Sequence, residues 1–231
     1  MQIIKEFGNG RKYNLQFLSD AENKDLLLNI ANTMYKFRWY YNRFALGKYA
    51  YWENGPIWKF GDSKEVTECR LDETNNINRL QDIINSIFLF YSQSIVFNKL
   101  VNDKVTSANT NIIESTNMRW KEVSIAFELN DLLNFYENLD ILSRELKEIF
   151  IDISVNLKPY YAMASIEMSG LVEEPKFLKV EDVYLGDFNY FSFGCFDKQF
   201  NNITIKKHET YEYGDLGMFV FTTKHIGKYS N

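Results

Sequence analysis

Polar and apolar positions change period repeatedly along the chain, and each change marks an element. Tyr13–Leu18 (YNLQFL) alternates polar with apolar and predicts a strand. Ser19-Asp20 then offers a helix cap, and Leu26, Leu27, Ile30, Met34 and Phe37 recur at helical spacing. The helix fades in FRWYYNRF, where β-favouring aromatics crowd together. KYAYWENGPIWKFG follows, two aromatic arms about an Asn54-Gly55-Pro56 turn, and predicts a hairpin. From Asn76 a second helical stripe runs through Ile77, Leu80, Ile83, Ile84, Ile87, Phe88 and Tyr91. Asn102–Asn117 is rich in Asn, Ser and Thr and reads as an exposed loop with at most one short strand inside. Trp120, Val123, Ile125 and Phe127 restore strand alternation.

The clearest amphipathic helix spans Asp140–Leu157, with Leu142, Leu146, Ile149, Phe150, Ile153 and Leu157 on one side and Pro159 as its stop. Beyond it YYAMASIEM, DFNYFSF, NITIKK and LGMFVFTT each read as strands. In DFNYFSF the alternation places rings on both faces, which predicts a strand in the interior of a sheet. The expected architecture is therefore α+β. Amphipathic helices lie mostly in the N-terminal two thirds and pack on a largely antiparallel, mainly C-terminal sheet. Neither a repeat nor a linker divides the chain, so residues 1–231 are expected to form one domain.

Composition changes this picture in two places. Aromatics reach 16% of 231 residues, with 15 Tyr and 19 Phe, which suits a dense core or a contact surface. The formal charge of −5 argues against a general nucleic-acid binder, whose footprint is basic. The 2 cysteines, Cys69 and Cys195, make no CxxC pair and no disulfide framework, which points to a reducing compartment. No apolar run has the length of a signal peptide or a membrane span, so the expected location is cytoplasmic.

Candidate chemistry is sparse. His208 and His225 are the 2 histidines, and neither stands in a metal-binding spacing. Ser192 lies in Tyr190-Phe-Ser-Phe-Gly194, which lacks the first glycine of a nucleophile elbow. GNGRKY (Gly8–Tyr13) lacks the spacing of a phosphate loop. The expectation is no catalytic set, no metal and no cofactor. One segment runs against the overall charge: Lys36, Arg38, Arg43 and Lys48 interleave with Tyr35, Phe37, Trp39, Tyr40, Tyr41 and Phe44. Rings beside cations can stack a base and hold its phosphate, so Lys36, Arg38, Trp39, Tyr41 and Arg43 form the candidate nucleotide or small-molecule site. The competing reading puts the rings in the core and leaves the cations in water.

The C-terminal third resembles the bacterial toxin-immunity proteins, in particular the immunity protein 52-like group. The resemblance runs over roughly Asp140–Thr223: a helix ending in IDISVNLKP, the strand YYAMASIEM, the glycine-led aromatic segment GDFNYFS, and the glycine-bracketed terminal strand GDLGMFVFTT. It implies a non-enzymatic protein that binds and neutralises a partner protein, a toxin or other effector, by stoichiometric contact. A phage-encoded protein that disables a host defence would use the same kind of contact. Standard interfaces need a few aromatic anchors, and acidic patches steer a basic partner. The candidate contacts are Trp52, Glu53 and Trp58 about the hairpin turn, and the acidic run Glu173, Glu174, Glu181, Asp182 and Asp187. Asp72 and Glu73 form a smaller acidic pair. The oligomeric state is left open by the sequence.

Overall fold

Phe17, Phe150 and Phe188 show how the layers meet: the Phe17 ring stacks on Phe150 at 5.7 Å, and Phe150 reaches Phe188 at 5.9 Å. Phe17 and Phe188 belong to strands, and Phe150 to the longest helix. The computed structural model describes residues 12–52, 58–68, 77–86, 92–114, 121–166, 186–192, 208–213 and 216–222. Its strands are β1 (Lys12–Ser19), β2 (Tyr40–Trp52), β3 (Trp58–Glu68), β4 (Ser92–Val101), β5 (Lys104–Glu114), β6 (Lys121–Glu128), β7 (Tyr161–Ile166), β8 (Phe188–Ser192), β9 (His208–Tyr213) and β10 (Gly217–Thr222). Its helices are α1 (Asn23–Lys36), α2 (Ile77–Ser86), α3 (Leu129–Phe135) and α4 (Leu139–Leu157).

The strands join in one 10-stranded sheet, β3-β2-β4-β5-β6-β1-β7-β8-β10-β9, and every pair is antiparallel. The α+β class holds, but the expected distribution does not. The sheet spans the chain from Lys12 onward, and the helices are set among its strands, the longest of them in the second half.

β5 accounts for most of that difference. Where the sequence reads as a loop, β4 and β5 form a hairpin whose register runs from Ser92↔Ile113 to Val101↔Lys104. Asn102 and Asp103 turn it with φ of 48° and 60°, the doubly left-handed geometry that matches strand twist and that Asn and Asp tolerate. Thr106, Ala108, Thr110 and Ile112 are buried, while Ser107, Asn109 and Asn111 on the other side are half-buried. Threonines inside and amides outside hide the alternation from a hydrophobicity reading.

Alternation fixes one face for the helices. Tyr13, Leu15 and Phe17 of β1 pair with Phe127, Ile125 and Val123 of β6, and with Ile166, Ala164 and Ala162 of β7. All but Ile166 are fully buried. The opposite face is polar near the centre, carrying Asn14, Gln16, Glu122 and Ser124. α4 starts on Asn138, whose side chain accepts from the Asp140 and Ile141 amides at 2.9 and 3.3 Å. It ends on Lys158 in the left-handed region (φ 49°), just before Pro159. α1 docks on α4 through Asp152, which accepts from Thr33 Oγ1 at 2.8 Å and pairs with Lys36 at 2.7 Å.

β8 answers the expectation for the aromatic segment. It lies between β7 and β10, with Phe188, Asn189 and Phe191 fully buried. Asn189 Oδ1 accepts from the Gly186 amide at 2.9 Å, and its Nδ2 donates to the carbonyls of Gly186 at 3.1 Å and Val220 at 3.2 Å. One amide therefore closes the entry to β8 and ties it to β10.

Candidate functional site

The two sets of residues singled out in the sequence fare differently. In the basic-aromatic segment the rings go inward. Trp39 and Tyr41 are 0% exposed, so neither offers a face to a base. Trp39 packs edge-on against Phe127 at 5.1 Å and donates its indole N–H to Glu145 Oε1 at 3.0 Å. Lys36 is exposed and committed to Asp152. Arg38 is exposed where α1 stops: its φ is 63°, and the Trp39 amide reaches back to the Met34 carbonyl at 2.8 Å. Arg43 lies in β2, in register with Glu68 and Val96. The candidate nucleotide site is thus taken apart by burial: its stacking rings Trp39 and Tyr41 are core, Lys36 and Arg38 stand at the end of α1, and Arg43 lies within β2.

Of the proposed partner contacts, Trp52 and Trp58 are register partners at the end of the β2–β3 hairpin, while Glu53 lies outside the described residues. Glu173, Glu174, Glu181 and Asp182 lie outside them too, as do Asp72, Glu73, Cys69, Cys195 and His225. His208 opens β9, the last strand in the sheet order. Asp187 is 2% exposed and sits 3.4 Å from the Tyr13 hydroxyl, which donates to it. A carboxylate so placed belongs to the interior and is removed from the acidic contact patch.

Reactive groups do converge at one point the sequence did not reveal. Lys99 Nζ donates to both Glu145 oxygens at 2.6 Å and to the Phe37 carbonyl at 3.0 Å. Tyr136 donates its hydroxyl to the same carboxylate at 3.2 Å. Lys99 also lies 5.7 Å from the Trp39 ring centre and 5.9 Å from that of Tyr136. Burial first, then the charge and hydrogen bond of Glu145, push the Tyr136 hydroxyl well above its usual range. The phenol is held protonated and the ammonium is held paired, so this hub binds β4, α4 and the end of α1 together rather than offering a free base or nucleophile. Among the described residues, no three His, Cys, Asp or Glu side chains come together as metal ligands.

A smaller polar pair lies on the other face. Gln16 Nε2 donates to Glu122 Oε1 at 3.2 Å, while Gln16 Oε1 is buried with no donor. Burial pushes the Glu122 carboxyl up. A carboxyl so raised binds its proton more tightly folded than unfolded, so its contribution to stability falls as pH rises above its ordinary value. Glu122→Gln removes the desolvated charge and supplies an N–H for Gln16 Oε1. The expected result is a gain of about 0.5–1.5 kcal/mol at neutral pH, shrinking under acid, read from urea melts across pH.

The exposed apolar residues mark the remaining candidate. Leu100 is 65% exposed and Val105 57%, and they face each other across the β4–β5 register. The hairpin that carries them is held in place. Asn102 Nδ2 donates to the Phe135 carbonyl at 2.9 Å, and Lys104 Nζ lies 5.1 Å from the Phe135 ring centre. Another large apolar residue, Ile141, is 54% exposed in the first turn of α4, just past the α3 end that the hairpin touches. The signal in the sequence is Leu-Val-Asn-Asp-Lys-Val, two aliphatic arms about a dipeptide that accepts left-handed φ.

No protein-family model and no curated protein sequence matches the chain. Among solved structures the chain is similar to a Pseudomonas aeruginosa T6SS protein, PA0821. The likeness has 9% identity and a TM-score of 0.48, and covers 92% of this chain and 68% of the other. Among the described residues no helix is long and apolar enough to cross a membrane.

Proposed function

We propose that this chain is a non-enzymatic binding protein that neutralises a partner protein by stoichiometric contact in the cytoplasm, of toxin-immunity or inhibitor type. The observation that carries the reading is the Leu100–Val105 pair: two aliphatic side chains more than half exposed, on a hairpin pinned to α3. Apolar side chains in water are a cost to a free protein, and rigid ones are ready-made anchors, because little ordering remains to be done on binding. The elements on which the resemblance rests support the same reading, since α4, β7, β8 and β10 occur in that order, with β9 between the last two.

The experiment is a comparison of the chain with a Leu100→Ser/Val105→Ser variant. Both sites are solvent-facing, so the melting temperature is expected to stay within about 2 °C, consistent with surface substitutions near ±0.5 kcal/mol. The parent is expected to form an equimolar complex with one protein of its native host, identified by mass spectrometry and sized by light scattering. The variant is expected to bind that protein at least about tenfold more weakly, as loss of a central apolar anchor requires. Turnover of a small substrate beyond molar equivalence, or no equimolar partner, would remove the reading.

A further inference from the structure

The sheet face away from the helices can be followed by register from the Leu100–Val105 pair to Glu122. Next to that pair the Ser107 hydroxyl donates to Asn98 Oδ1 at 2.9 Å. Asn109, Ala126 and Asn14 follow across β5, β6 and β1, then Asn111, Ser124 and Gln16, then Ile113, Glu122 and Leu18. Glu128, on this face near the hairpin, is matched by Lys12 at 3.5 Å. Glu122 has no such match among the described residues. Its cross-strand neighbours are Leu18 and Ile113, and Lys121 turns to the other face, where it donates to the Ala21 carbonyl at 2.9 Å. Lys99 and Lys104 are engaged on the helix side, and Arg144 and Lys147 belong to α4. Arg43 in β2 and Lys59 and Lys64 in β3 stand three and four strands from β6. Glu122 accepts from Gln16 Nε2 at 3.2 Å, while the carbonyl oxygen of that same amide is buried without a donor. Turning the amide over would exchange an unpaired oxygen for an unpaired N–H, so the pair cannot satisfy itself.

We infer that Glu122 and Gln16 form a recognition site for a guanidinium group, an arginine side chain that the partner lays on this face of the sheet. The inference rests on the binding reading above and adds a second contact with its own chemistry. A guanidinium carries five N–H donors and no acceptor, so it can serve the carboxylate and the orphan carbonyl oxygen together while neutralising the charge. It is weakly hydrated for a cation, which suits a half-buried carboxylate. A hard metal ion fits poorly, since Ca²⁺ takes about six to eight oxygens and here one carboxylate stands among neutral side chains. Burial alone raises the Glu122 carboxyl, so the fold carries a desolvated charge that it does not offset. A group that costs stability and serves nothing inside the fold is what a binding site leaves in the free protein. The site and the apolar pair also fit one contact. Val105 and Ile113 are roughly 27 Å apart along β5. An interface of ordinary size covers about 800 Å² on each partner, a patch roughly 30 Å across.

The test follows the Gln16 side-chain amide by NMR in the intact chain, titrated with N-acetyl-arginine methylamide and with its citrulline counterpart, which has nearly the same shape and no charge. The arginine compound is expected to shift the Gln16 resonances saturably, and the citrulline compound to leave them in place at the same concentration. Glu122→Gln, which is expected to fold at least as stably as the parent, should weaken the arginine response at least about tenfold, as loss of one member of a desolvated charge pair requires. Glu128→Gln removes a carboxylate that already has its own cation and should leave the response unchanged. The equimolar complex with the host partner should weaken by a similar factor on Glu122→Gln. Silence toward the arginine compound, an equal response to both compounds, or a response that survives Glu122→Gln would overturn the inference. An equimolar complex indifferent to Glu122→Gln would leave the binding reading standing and remove this site from it. An arginine response without any equimolar host partner would keep the cation site and remove the reading.

Discussion

Glu145→Ala is expected to destabilise the chain by about 3–5 kcal/mol, the cost of stripping one partner from a buried ion pair. The carboxylate is 15% exposed and Lys99 13%, so water does not replace what is lost. Three donors depend on it: the Lys99 ammonium, the Trp39 indole N–H and the Tyr136 hydroxyl. After substitution only the Phe37 carbonyl remains for Lys99 among the acceptors named. The loss should appear in urea-denaturation midpoints, together with a displaced indole N–H resonance for Trp39. Glu145→Gln keeps an acceptor but removes the charge, so it is expected to fall between parent and alanine. Replacing both partners, as Lys99→Met/Glu145→Leu, separates the two contributions. If buried charge is the main burden, the double variant recovers most of the loss. A single-variant cost below about 1 kcal/mol would show that the hub is screened like a surface pair.

The same hub shows where the sequence is a good guide and where it is silent. α4 was legible because Leu142, Leu146, Ile149, Phe150, Ile153 and Leu157 are all apolar and all face one way, and all are buried. β1 was legible for the corresponding reason at period two, and the β2–β3 hairpin because its turn residues announce it. β5 was not, since Thr106 and Thr110 occupy interior positions that hydrophobicity assigns to water. Its loss from the sequence reading moved the sheet toward the C-terminus. The functional residues were obscured in another way. Trp39 and Tyr41 next to cations look alike whether the rings face a ligand or the core, and burial is set by partners far away in sequence, such as Phe127 and Glu145. Asp187 looks like one more surface acid until β1 brings the Tyr13 hydroxyl to it. Lys99, Tyr136 and Glu145 share no motif; only the fold brings the end of β4 and the end of α3 to α4 and makes them a cluster. Leu100 and Val105 are ordinary aliphatics by composition. Their exposure follows from standing at the tip of a hairpin on the face away from the helices.

Gly217→Ala is expected to cost about 3 kcal/mol, the upper end of the usual range for forcing volume into a packed core, because two rigid neighbours stand where its Cβ would go. One is the backbone carbonyl oxygen of Phe191 on β8; the other is the Tyr190 ring, whose nearest atoms would be 2.7 Å away. Gly217 pairs with Ser192 on one side and Tyr213 on the other, so β10 has no free side toward which to retreat. The ring is fixed as well: Tyr190 is 2% exposed, packs at 4.9 Å on Phe219, and donates its hydroxyl to the Leu216 carbonyl at 3.1 Å. Two variants divide the clash. Tyr190→Phe alone loses a hydrogen bond and should cost about 1 kcal/mol. Tyr190→Leu in the Gly217→Ala background removes the ring but leaves the carbonyl, so the double variant should cost less than the sum of its parts while staying well short of the parent. Hydrogen exchange should locate the damage in β8, β9 and β10, with β4–β6 keeping their protection, since the strain enters at the β8–β10 seam. If Gly217→Ala instead melts within about 0.5 kcal/mol of the parent, the close approach of β10 to β8 in this register is wrong, and with it the ring packing that buries Tyr190.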